Sequence, residues 1–452
     1  MDLRRENTID RLDRLFSSDR RALLLLWLLT VGARVVYTLW DRTGSLMVVS
    51  DSPYYYEAGL DFARTGRILY AGVPTALIMP GTPVLIGLLA RVFPEGLPLR
   101  YAIRAVWVLI GSLTPLFYYK SARLYTPAWC AFLVGLVYLH PLHIHIDSYL
   151  LTEGPYYAFF SMALYYTLKM GREKKPGDIW KFAFSVLAAL LFRANILMLL
   201  FFTLLWLLTQ RRYSFRELLG RIGVVCLVLA LFMVPWTVRN YKLFHAFIPV
   251  TYGTGNPIME GTDQGDGYPA EAIFSRGVEN IVAEDIVREK NPALFDENGE
   301  LLDPDCSQYV GHMAIKEDAM FRLRTWLRYE TKSFLRTYLW LKPRMILNWV
   351  WYWSAFPFFP YGLAHRLRQL NCLFCLFSAG LALGLKKHRK VIFFLGFAYV
   401  VNLYGIAFSL AIDRYAQMIM PYRYLIAGLG LDLVGEIFRR RKRARQQEAT
   451  EE

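Results

Sequence analysis

Long apolar runs recur along the chain, separated by short segments dense in Lys and Arg. Ten of them read as spans, eight close to the ~20 residues that a helix needs to cross a bilayer and two, 179–191 and 196–208, short. They cover residues 22–40, 101–119, 128–145, 150–168, 179–191, 196–208, 222–238, 367–385, 391–412 and 417–438. The pattern predicts an all-α polytopic membrane protein with about ten transmembrane helices. Two longer segments interrupt it: residues 41–100, and residues 239–366 with their Gly, Asn and Asp turns and helical patterns at 277–290 and 311–341. The apolar fragment 77–93 lies in the first of these. It opens on Met79-Pro80-Gly81, has Arg91 near its end, and is read as a juxtamembrane helix at the surface.

Charge orients the pattern. Residues 1–21 hold Arg4, Arg5, Arg11, Arg14, Arg20 and Arg21. Further basic loops fall at 169–175, 211–221, 386–390 and 439–445. With 77–93 at the surface, every one of these lands on the cytoplasmic side. The expected organisation is a cytoplasmic tail 1–21, with a short amphipathic helix through Ile9, Leu12, Leu15 and Phe16 on the inner leaflet. A membrane domain 22–238 follows, with its first external loop at 41–100. Then come an external loop region 239–366, membrane helices 367–438 and a basic tail 439–452. No cleavable signal is expected, and no internal repeat is evident.

The chain has 452 residues, 55% of them hydrophobic, above the 45–50% of soluble domains. Its net charge of +15 is distributed among the loops of the positive-inside pattern, which argues against nucleic acid as a partner and for a multi-pass membrane protein. Five cysteines form no disulfide framework, and Cys372 and Cys375 read as packing residues in an apolar helix.

Candidate chemistry gathers where the expected external segments meet the membrane. Asp51 stands beside the aromatic run Tyr54-Tyr55-Tyr56 and Glu57. Glu153 lies in the apolar stretch LLTEGPYYAFF, where an unpaired acid is costly and calls for a partner or a function. Asp147 is a third external acid. Cations on the same face run against the positive-inside bias: Arg239 in PWTVRN, Arg414 in IDRY, and Lys342 and Arg344 around Pro343. They point to an anionic partner, either lipid headgroups and neighbouring acids or a bound phosphate. His143 and His145 precede Asp147 at a spacing that can ligate a divalent metal, although interfacial histidines without metal are commoner. The strip WVWYWSAFPFF at 349–359 reads as an interfacial aromatic belt.

Five segments, taken in order, resemble the GT-C superfamily of membrane glycosyltransferases. They are SDSPYYYEAGLDFARTGRI, MPGTPVLIGLLARVF, LHPLHIHIDSYLLTEG, VPWTVRNYKLFHAFIPVT and DRYAQMIMPY. The likeness is to its bacterial branch, related to protein O-mannosyltransferases and the lipid A aminoarabinose transferase (glycosyltransferase family 39-like). The resemblance implies transfer of a sugar from a polyprenyl-phosphate donor to a hydroxyl acceptor at the non-cytoplasmic face. It implies Asp51 as the base, and Glu153 as the second acid with Asp147 as its rival. It also implies Arg239 and Arg414 on the lipid phosphate. Met79-Pro80-Gly81 stands where the aminoarabinose branch has a lysine–diproline motif, and no C-terminal soluble domain is expected. The rival readings are a transporter or flippase of lipid-linked sugar, which calls for inverted repeats and mid-membrane ionisable groups, and a non-catalytic scaffold.

Overall fold

The computed structural model describes residues 18–40, 51–348 and 360–451. The expected inner-leaflet helix within 1–17, the start of the first external segment (41–50) and the aromatic strip 349–359 lie outside the described residues. All ten apolar segments are helical. The first is α1 (Asp19–Trp40), and the short helix α2 (Ser52–Thr65) follows the first gap. A two-residue antiparallel hairpin comes next, β1 (Leu69–Tyr70) with β2 (Val73–Pro74), in the register Leu69↔Pro74 and Tyr70↔Val73. After it come α3 (Gly81–Ala90), α4 (Leu97–Gly111), α5 (Thr114–Arg123), α6 (Ala128–Leu136), α7 (Pro141–Ser148), α8 (Glu153–Arg172), α9 (Asp178–Leu190), α10 (Leu197–Gln210) and α11 (Phe215–Phe244).

Proline sets several of the starts. Pro53, Pro98, Pro115 and Pro141 stand in the first turns of α2, α4, α5 and α7, where no amide is missed. By length and apolarity five described helical stretches could each cross a bilayer, or six if α6 and α7, bent by 58°, count as one span. The other segments expected to cross are also helices but fail that test for physical reasons. With 13 residues, α9 is only about 20 Å long, and α8, at 20 residues, is long enough but carries four tyrosines with Glu153, Lys169 and Arg172, which lower its apolarity. The ten residues of α3 reach about 15 Å, half the ~30 Å hydrocarbon core.

Helix α3 lies along α2. A Cβ at Gly59 would stand 2.4 Å from Ile86 Cγ2, and one at Gly87 would stand 2.8 Å from the Gly59 carbonyl. Only glycines allow that approach. At the start of α3 the Gly81 N–H donates to the Leu191 carbonyl at 2.7 Å, tying this layer to the end of α9.

A group of short helices follows α11: α12 (Gly255–Thr262), α13 (Ala270–Phe274), α14 (Ala283–Lys290), α15 (Ser307–Tyr329) and α16 (Thr331–Arg336). A π turn at Thr337–Leu341 leads into α17 (Lys342–Asn348). The chain closes with α18 (Tyr361–Leu385), α19 (Arg389–Phe408), α20 (Asp413–Met418) and α21 (Met420–Glu451). One apolar core joins α1 and α4–α10 to α19 and α21. Smaller clusters form around Phe244, Tyr252 and Tyr309, and around Trp326 and Tyr338.

Candidate active site

Four distant parts of the chain meet in one cluster, which includes Arg414 in the first turn of α20. Its Nε and Nη2 donate to the two oxygens of Glu153 at 2.5 and 3.2 Å, and its Nη1 donates to Asp51 Oδ2 at 3.1 Å. Arg193, in the α9–α10 turn, donates from Nη1 to Glu153 Oε1 at 2.7 Å and to Thr152 Oγ1 at 3.0 Å. Glu153 is fully buried at the start of α8, where the helix dipole favours a negative charge. Burial alone works against the Arg414 charge, but Glu153 and then Asp51 more than offset it and hold the guanidinium well above its usual range.

Asp51 is the open end of the group, its side chain 43% exposed. It is the N-cap residue of α2, yet its side chain makes no capping bond. Its second oxygen accepts from none of the described residues. Tyr55 is buried behind it. Burial, and secondly the Asp51 charge, push the Tyr55 phenol up, so it stays neutral. Tyr54 stacks on Tyr70 at 4.9 Å, and burial followed by Asp51 and Tyr54 raises Tyr70 to about 12. Glu57 lies on the exposed face of α2.

The remaining expected residues sit elsewhere. Asp147 is buried and engaged by Arg34 of α1, which donates from Nε at 2.8 Å and Nη2 at 2.5 Å. It does not join Asp51. His145 Nδ1 is paired with the Tyr37 hydroxyl at 2.8 Å, and His143 Nε2 with the Tyr424 hydroxyl at 3.1 Å. The possible metal set of His143 and His145 with Asp147 therefore does not converge. Among the described residues no group of three or more His, Cys, Asp or Glu is placed to hold a metal.

Arg239 lies on α11 and bonds the Thr75 carbonyl at 2.6 Å and the Ile68 carbonyl at 3.3 Å. It lines a cleft of about 1000 Å³ together with Arg67, Lys242, Pro80, Leu191 and Phe232. The reading that put Arg239 and Arg414 on one phosphate finds them in separate hydrogen-bond networks. Lys342 corrects another expectation. It is fully buried, and its ammonium donates to the carbonyls of Gly261 at 2.8 Å and Ser409 at 2.7 Å, beneath the Tyr338 ring. Burial drives it down to about 7. Arg344 is exposed on α17.

Two cations of these networks escaped the sequence reading. Arg34 lies inside the first apolar run, where an arginine calls for a partner. Arg193 stands in the sequence only as a turn residue between two short spans.

No protein-family model matches the chain, and no curated protein matches it. Among solved structures, this chain is similar to ArnT. The crystal structure of ArnT from Cupriavidus metallidurans bound to undecaprenyl phosphate superposes with a TM-score of 0.38 at 14% identity, covering 92% of this chain and 77% of that one. ArnT in the apo state gives 0.36 at 14% identity over 89% and 77%. At such values the likeness to ArnT bears on neither reaction nor ligand.

Proposed function

We propose that the protein is a membrane glycosyltransferase that moves a sugar from a polyprenyl-phosphate donor to a hydroxyl acceptor at the non-cytoplasmic face, with inversion. The observation that carries this reading is Arg414, held between a buried carboxylate and a half-exposed one with a second arginine alongside.

Asp51 takes the proton of the acceptor hydroxyl through its open oxygen. The acceptor oxygen bonds to the anomeric carbon as the bond from that carbon to the donor phosphate oxygen breaks. The bonding pair leaves on the polyprenyl phosphate, which gains one negative charge. Arg414 and Arg193 face that growing charge from fixed positions, where preorganised cations stabilise it most. In the resting group two guanidiniums balance two carboxylates. An incoming phosphate competes with Asp51 for Arg414 Nη1 and leaves Asp51 free to accept from the acceptor hydroxyl. Glu153 keeps both arginines aimed and charged. The cleft lined by Arg239 has apolar walls (Val84, Leu231, Phe232, Trp236) suited to an isoprenoid chain.

The test is Asp51→Asn assayed for sugar transfer from a polyprenyl-phosphate donor. Turnover is expected to fall by at least ~1000-fold while donor binding and thermal unfolding stay near wild type, general-base removal typically being worth ~100- to 10,000-fold. Wild-type turnover in this variant ends the assignment.

A further inference from the structure

The ends of α5, α8 and α10 and the start of α19 border an open cavity of about 400 Å³ that glycosyl transfer does not use. It lies one membrane thickness from Arg414. Helix α8 has Glu153 at one end and Arg172 at the other, and α19 runs from Arg389 towards the 409–414 turn. Each has 20 residues and is therefore about 30 Å long. Arg172, Arg212, Lys386, Arg389 and Lys390 line the cavity, and no acid does. None of the five has a carboxylate partner among the described residues. Nearby acids are engaged: Asp432 by Lys387 at 2.7 Å and by the cavity-lining His388 Nε2 at 2.8 Å, Glu217 by Lys174 at 2.6 Å and Glu173 by Lys175 at 2.9 Å.

Two further observations favour an anion here. Trp206, only 3% exposed, also lines the cavity, and its indole N–H has no partner among the described residues. That nitrogen sits against Gly171, 2.0 Å from where a Cβ would stand, on the same wall. Residues 389–391 are the first turn of α19, whose N-cap His388 supplies no side-chain acceptor, so the helix offers open amides. About one turn along their helices from the lining residues Lys386 and Arg389, Leu383 and Phe393 are exposed, an apolar flank that an acyl chain would cover.

We propose that this cavity binds the phosphate of an anionic phospholipid headgroup from the leaflet opposite the candidate active site. The cations neutralise the phosphate, and the indole and first-turn amides complete its hydrogen bonds. The acyl chains lie along α18 and α19.

The test uses the full chain in neutral detergent, with lipid adducts measured by native mass spectrometry. Titrations with phosphatidylglycerol, phosphatidylcholine and inorganic phosphate are compared. A saturable phosphatidylglycerol adduct is expected, weakened at least ~10-fold in the double variant Arg172→Gln/Lys390→Gln. It is expected to be unchanged in Lys174→Gln/Lys175→Gln, which removes equal charge outside the cavity. Trp206→Phe, which keeps the ring and loses the N–H, is expected to weaken it about 3-fold. Equal weakening in both double variants, or no preference over phosphatidylcholine, overturns the proposal. Inorganic phosphate binding without any lipid adduct overturns the lipid as its source.

Discussion

Arg414 holds two carboxylates whose loss is expected to act differently. Its pair with Asp51 is half exposed, and such pairs contribute about 0–1 kcal/mol, so Asp51→Asn is expected to leave unfolding almost unmoved. Glu153 is buried between two arginines, and removing one partner of a buried pair costs about 3–5 kcal/mol because the remaining charge is stranded. Glu153→Gln is therefore expected to lose both stability and transfer, and thermal unfolding of the two purified variants separates the cases. Lys342 adds a pH effect with a definite sign. Burial depresses it from 10.5 to about 7, so between those values the unfolded chain holds a proton that the folded chain lacks. Stability from this residue therefore rises as pH climbs from about 7 towards 10, and it is lowest below 7, where the buried ammonium is charged. Lys342→Met is expected to remove that rise, by at most about 1.4 kcal/mol per pH unit, measured as the wild-type minus variant difference in denaturant unfolding across pH 6.5–10. Individual acids such as Asp51 and Glu153 were legible in the sequence because charge beside or inside an apolar run stands out. Their partners were less so, since nothing local to Arg193 or Arg34 shows which acid it reaches 40 or 113 residues away.

The turn that carries Arg414 is fixed by an element far from it in sequence. Just after α12, Gln264 donates from Nε2 to the Ala411 carbonyl and accepts the Ala411 N–H on Oε1, both at 2.8 Å. Two residues earlier, the Lys342 ammonium bridges the Ser409 and Gly261 carbonyls. Gln264→Ala removes both bonds to Ala411. Each net hydrogen bond is worth ~1 kcal/mol, so a loss of about 2 kcal/mol is expected, with a fall of about 10-fold in kcat as Arg414 loses its aim. A change in KM alone, with kcat intact, would count against this positioning role. Across the site, Gly87→Ala sets a Cβ against the Gly59 carbonyl, where α2 cannot yield without moving Asp51. Overpacking of this kind costs about 1–3 kcal/mol, and transfer assayed on the folded fraction is expected to fall as well. Most helices were legible because apolar runs of 17–22 residues have few alternatives. Their ends were less so. The expected span 222–238 continues to Phe244 through Pro235, because the Ser214–Glu217 capping box starts the helix early and the Trp236 indole donates to the Val250 carbonyl beyond the proline. The break between α6 and α7 follows from the proline at 141, which the run 128–145 conceals.

At the scale of the whole molecule, the carboxylate–arginine group and the basic cavity mark the two ends of the helical bundle, and each implies a side of the membrane. Helices α8 and α19 each place one end in the group or the turn leading to it and the other at the cavity, so neither marker can change sides without the other. Cations free of carboxylate partners gather at the cavity, as the positive-inside bias demands of a cytoplasmic face. At the opposite end Arg193 and Arg414 are neutralised by Glu153 and Asp51, whereas Arg239, Lys242 and Arg344 have no carboxylate partner among the described residues. The proposed orientation thus rests on the density of basic residues in the short loops at the cavity end. It is checked with single cysteines in a background lacking the five native ones. Lys390→Cys and Glu57→Cys replace exposed residues at the two ends. In inside-out vesicles a membrane-impermeant maleimide is expected to label residue 390 and spare 57, and in right-side-out vesicles the reverse. Labelling of both from one side would mean that the two ends do not face opposite compartments, and a transferase acting across from the basic loops would then have no place in this fold.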